Sequence, residues 1–89
     1  MYRTKWEIYC DILKHCMKEK SYSLVYYKTC TSHVVFVKYL QDLINRGMID
    51  VRYVPSSSKF KRLKTAEKGE ILLWKINDML TFWEHSYIV

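Results

Sequence analysis

Glycine and proline are scarce: Gly47, Gly69 and Pro55 are the only such residues among 89. With glycines this sparse, no glycine-rich loop able to cradle a phosphate can be built. No apolar run reaches the roughly 18 residues that suggest a membrane span. Residues 1–20 are polar and charged throughout, so no secretory leader is expected. The chain is accordingly expected in the cytoplasm (of a host cell, if viral), with no membrane partner. The three cysteines, Cys10, Cys16 and Cys30, are odd in number and form no C-x-x-C pair. They read either as buried thiols behaving as small hydrophobes or as a disulfide, including one between subunits. Acidic residues are few and dispersed. His15, His33 and His85 fall in three different helical stretches, so no nucleophile stands near a base. An enzyme is therefore not expected, nor a metal or a cofactor.

What is present is apolar and aromatic. A hydrophobic content of 49% with 16% aromatics is too rich for a disordered chain. The length suits one domain spanning residues 1–89. A chain this short buries a modest core and is often helped by oligomerisation. Net charge is +6, and it is concentrated. Residues 51–68 hold 6 basic and 1 acidic side chains, net +5, whereas residues 69–89 are net −2. A polyanion is the natural partner of such a segment. The alternative is a lysine-rich but otherwise ordinary solvated surface.

Periodicity divides the chain into elements. Thr4-Lys5-Trp6-Glu7 has the pattern of a capping box and opens a helix running to about Lys18, with Ile8, Ile12, Leu13 and Cys16 on its core stripe. Glu19 to Ser23 reads as a polar connection. Ser23 to Cys30 reads as a short second helix capped by Ser23, although its β-branched and aromatic residues also permit a strand. Thr29-Cys30-Thr31 then makes a tight turn. Ser32 to Asn45 is a third helix, capped by Ser32 and closed by Gly47, with Phe36, Leu40, Leu43 and Ile44 on one stripe. Two helices joined by so short a turn form a helix-turn-helix.

Met48 to Val54 reads as a strand, Pro55 to Ser58 as a turn, and Lys59 to Lys64 as a returning strand with a bulge. Thr65 is expected to cap a last helix over residues 65–85. That helix is apolar on two sides: Leu72, Ile76, Met79 and Trp83 form one stripe, with Ile71, Trp74 and Phe82 off it. Such a helix has two partners, its own domain and a second subunit. The whole is mainly α with a small β-hairpin, the layout of a winged helix-turn-helix with a long C-terminal helix.

Particular residues resemble the small winged-helix DNA-binding proteins of archaea and their viruses. They are Glu7-Ile8 with Ile12-Leu13, the run Ser23 to Lys28, Ser32 at the start of the third helix, Lys38-Tyr39-Leu40 followed by Gly47-Met48-Ile49, and Leu63-x-Thr65-x-x-x-Gly69. The resemblance covers roughly residues 4–80. It implies close packing of the last helix at Gly69. The sequence departs from it at Leu24 and Thr31, in an extra residue between Leu63 and Thr65, and in the less polar face of His33, Val34 and Val37.

The layout makes the third helix a recognition helix for double-stranded DNA, with Ser32, His33, Val34, Val37, Lys38 and Gln41 as candidate contacts. Val34 and Val37 suit thymine methyls, or else a buried or dimer contact. Arg52, Lys59, Lys61, Arg62 and Lys64 form a basic wing suited to phosphates or a minor groove; the alternative is a charged edge that resists aggregation. Trp74, Met79, Phe82 and Trp83 are the candidate homodimer contacts. A sequence-specific transcriptional regulator follows. The rivals are a nonspecific architectural protein of the same fold and a protein-interaction module that uses Val34 and Val37.

Overall fold

The computed structural model describes residues 4–53 and 61–85. The element order is α1 (Lys5–His15), β1 (Lys20–Ser21), α2 (Tyr22–Thr29), α3 (His33–Asn45), β2 (Ile49–Tyr53), β3 (Lys61–Thr65) and α4 (Glu67–His85). The hairpin expected from sequence is part of a three-stranded antiparallel sheet of order β1-β3-β2. The expected turn at residues 55–58, with Val54, Lys59 and Phe60, lies outside the described residues.

Local chemistry sets each boundary. The Thr4 side chain accepts from the Glu7 N–H and starts α1. The helix stops at His15, short of Lys18, because the Cys16 carbonyl accepts from the Thr65 N–H at 2.8 Å and the chain leaves to form β1. Lys20 and Lys64 donate to the carbonyls of His15 and Met17 just there, at 2.8 and 2.6 Å. The cap of α2 is Ser21, not Ser23. Ser21 ends β1 in extended conformation and accepts from the Leu24 N–H. Cys30 closes α2 at φ 54°, a left-handed conformation uncommon for a residue with a Cβ. Ser32 caps α3 as expected, accepting from the Val35 N–H at 3.3 Å.

The end of α3 is a Schellman motif. Gly47 sits at φ +75°, its N–H donates to the Ile44 carbonyl at 3.0 Å, and the Met48 N–H donates to Leu43 at 2.9 Å. This turns the chain directly into β2, which pairs with β3 over five residues from Ile49↔Thr65 to Tyr53↔Lys61 without a bulge. Thr65 does not cap α4. It is the last residue of β3, it is buried, and its hydroxyl donates to the Leu13 carbonyl at 2.8 Å. Ala66 takes the start of the helix, its carbonyl accepting from Glu70.

The core lies where α1, α3, the sheet and α4 meet: Ile8, Ile12, Leu13, Phe36, Leu43 and Leu63 are buried in it. Gly69 lets α4 approach the α3–β2 turn, since a Cβ there would lie 2.1 Å from the Met48 carbonyl oxygen. The inner stripe of α4 differs from the expected one. Leu72, Leu73, Ile76 and Leu80 pack on the core, while Met79 and Trp83 are exposed. Cys10 and Cys16 are buried free thiols, and Cys30 is free and exposed.

Candidate nucleic-acid interface

α3 carries two faces by its period. Phe36, Leu40 and Leu43 point inward, and His33, Val34, Val37, Lys38 and Gln41 are all exposed. Val34 is the most apolar feature of that outer face, at 78% exposure. His33 stands at its edge against α2, with its ring edge-on to Tyr26 at 5.3 Å and its Nε2 3.5 Å from the Tyr22 hydroxyl. Gln41 spends its amide within the helix, donating to the Asn45 side chain at 2.8 Å. Ser32 uses its hydroxyl as the helix cap. The outer face thus offers Lys38 and Gln41 as its charged and amide groups, around two valines.

The basic wing is not one surface. In a strand, alternate side chains take opposite faces. Leu63 and Thr65 face the core, so Lys61 shares their side and Arg62 and Lys64 take the other. Across the pair, Arg52 stands opposite Arg62. Glu19 sits between them and clasps both, at 3.3 Å from Arg52 and 2.9 Å from Arg62. Exposed ion pairs of this kind contribute little stability, about 0–1 kcal/mol each, but they orient the guanidinium groups toward Glu19. Lys64 is tied to the Met17 carbonyl.

Lys61 faces the α3 side, its ammonium 5.8 Å from the Tyr22 ring and 5.9 Å from that of Tyr53. The structure therefore joins Lys61 to the α3 face and separates Arg52, Arg62 and Lys64 from it. Glu19 and Tyr53 were missed in the sequence. Strand alternation alone could have separated Lys61 from Arg62. Glu19 had no such signal, because its position depends on β1 pairing with β3.

On the flank of α3 that meets α1, Asp42 accepts from the buried Tyr9 hydroxyl through Oδ2 and from Arg46 Nε at 2.9 Å through Oδ1. These two bonds hold the Asp42 carboxyl below the usual carboxylate range. Burial, reinforced by the bond to Asp42, pushes the Tyr9 phenol well above its ordinary value. Among the described residues, no group of three metal-ligating side chains exists and no helix is long and apolar enough to cross a membrane.

A helix-turn-helix whose second helix presents an open face, followed directly by a β-wing, defines the winged helix-turn-helix class. This chain belongs to the winged helix-turn-helix family, whose model matches residues 2–83. Among solved structures it is similar to Sso10a-2, a DNA-binding protein from Sulfolobus solfataricus: 28% identity, TM-score 0.85, covering 96% of this chain and 86% of that one. It shares its fold with BpsR of Bordetella bronchiseptica, whose DNA binding is regulated by 6-hydroxynicotinic acid, at 16% identity and TM-score 0.69 over 93% of this chain and 61% of that one. No curated protein sequence matches it.

Proposed function

We propose that this chain is a non-enzymatic, intracellular protein of one domain that binds double-stranded DNA as a homodimer and discriminates between sequences, acting in transcription regulation. The observation that carries the reading is the open outer face of α3, from Val34 to Gln41. A helix with its side chains is roughly 10–12 Å across, which a major groove about 12 Å wide admits. Val34 and Val37 meet thymine methyls there, and Lys38 and Gln41 reach base edges or phosphates. The Sulfolobus DNA-binding protein, 28% identical across nearly the whole chain, supports the same partner and an archaeal origin.

The dimer rests on α4. Trp74 and Phe82 are 68% and 76% exposed, and Met79 borders an apolar hollow of about 170 Å³ lined also by Trp6, Leu72 and Ile76. Aromatic anchors of this kind are the usual centres of protein interfaces. Two copies related by a two-fold axis would set their α3 helices in successive major grooves of a palindromic site.

A second reading, nonspecific coating of duplex DNA, has an observation of its own. The Gln41 amide is already engaged by Asn45, and the most exposed apolar side chain of α3 is a valine, so base-reading groups are few. Selection from a random duplex pool at several salt concentrations separates the two. Enrichment of a palindrome, lost on replacing Lys38 and Gln41 by alanine, is the expected result. Salt-sensitive binding without enrichment would favour the coating reading, and absence of binding at low salt would overturn both.

A further inference from the structure

On the face of the sheet turned away from α3, two arginines stand opposite one another: Arg52 of β2 is the register partner of Arg62 of β3. Like charges placed directly across a strand pair are destabilising. One carboxylate relieves them. Glu19 lies 3.3 Å from Arg52 Nη1 through Oε1 and 2.9 Å from Arg62 Nε through Oε2. The sheet itself puts Glu19 there. It directly precedes β1, whose Ser21 pairs with Arg62, and strand alternation gives Glu19 and Ser21 the same face. Asp50, which shares this face, stands opposite Lys64 rather than the arginines. Both guanidinium groups are reachable from solvent, their side chains being 77% and 44% exposed.

We propose that Arg52 and Arg62 form a phosphate clamp that Glu19 occupies in the free protein, so that a duplex backbone gains both arginines only by displacing that carboxylate. The source of the phosphate rests on the DNA-binding reading. A phosphodiester offers a guanidinium the same two-oxygen target as a carboxylate. The exchange is close to balanced: exposed ion pairs contribute little, and each phosphate neutralised releases counterions from the duplex. A two-stranded ribbon is thin enough to enter a groove, where its Lys61 face and its Arg52–Arg62 face address different phosphate strands. Phosphate contacts position a protein without reading sequence. Glu19 therefore holds down the part of the affinity that every duplex shares and leaves the α3 contacts untouched.

A double-mutant cycle on a random-sequence duplex at fixed low salt tests the clamp, using the full chain, Glu19→Gln, the pair Arg52→Gln and Arg62→Gln, and all three together. Glu19→Gln should bind about threefold to tenfold tighter than wild type. The same substitution should gain almost nothing where both arginines are absent. An equal gain in the two backgrounds would reduce Glu19 to general charge and overturn the clamp. Unchanged or weaker binding by Glu19→Gln would also overturn it, making Glu19 a residue that orients the arginines. Circular dichroism checks that each variant is folded. The wild type supplies a measurement free of substitution: the Arg62 Nε–H resonance should shift when duplex is added, and a bound duplex that leaves it unmoved sinks the proposal. Inorganic phosphate, titrated into wild type and Glu19→Gln and followed by the same resonance, should bind Glu19→Gln more tightly; equal binding counts against the clamp. If neither chain binds any duplex, the DNA reading fails while the phosphate titration still decides whether Glu19 occupies an anion site.

Discussion

Single residues decide how α3 is held. Asp42 lies on the flank of α3 beside Lys38, joined to α1 through Tyr9 and to its own helix end through Arg46. Its depressed carboxyl and the raised Tyr9 phenol each tie stability to pH, one at the acid end and one at the alkaline end. A carboxyl whose folded pKa is lowered contributes stability above its unfolded value of about 3.9, and that stability is lost as pH falls through the folded value. A phenol whose folded pKa is raised contributes below about 10, and that stability is lost as pH rises further. Asp42→Asn should therefore lower Tm at pH 7, with the gap to wild type closing as pH falls below about 4. Thermal melts from pH 3 to 7 check this; a gap independent of pH would show that Asp42 is not the titrating group. The charge at Asp42 was readable in the sequence, but its partner Tyr9, 33 residues away, was not.

At the scale of elements, α4 seats closely on the α3–β2 turn. Met48 is its centre: its carbonyl accepts the Ala66 N–H at 2.9 Å and faces Gly69. Gly69→Ala gains helix propensity of about 1 kcal/mol but drives a methyl into that carbonyl. Backbone on both sides cannot yield cheaply, so the clash should win, with a net loss of about 1–3 kcal/mol in chemical denaturation. Unchanged or raised stability would mean that the helix is not seated this closely.

Long elements were legible because period and caps agreed: α3 begins at Ser32 and closes at Gly47 as its sequence implies. β1 was not, since two residues carry no period. Its presence moved the α2 cap from Ser23 to Ser21 and made Thr65 a strand residue rather than a cap.

For the molecule as a whole, α4 is longer than its support. Its 19 residues span roughly 28 Å, whereas the 11 of α1 span roughly 16 Å. The two helices run antiparallel, so the last turns of α4 pass beyond Trp6. Trp83 follows Ile76 by seven residues and continues its line, yet is 65% exposed because the core has ended. The double substitution Trp74→Lys and Phe82→Lys changes no buried residue. It should halve the mass in analytical ultracentrifugation while leaving the monomer folded by circular dichroism. A wild-type monomer at the same concentrations would remove the dimer from the proposed function.

The sequence by itself determined the helix-turn-helix, the wing's composition and the amphipathic third helix. Each of these is written in residues that are neighbours along the chain. Tertiary structure decided what those residues face. It divided the wing cations, because β3 pairs with β2 in one register and Glu19 arrives from β1's side to hold two of them. It also chose Leu73 and Leu80 over Met79 and Trp83 for the core. The close approach at Gly69 fits the rotation of α4 that packs Leu72, Leu73, Ile76 and Leu80 on the core, and Trp83 lies past the core's end.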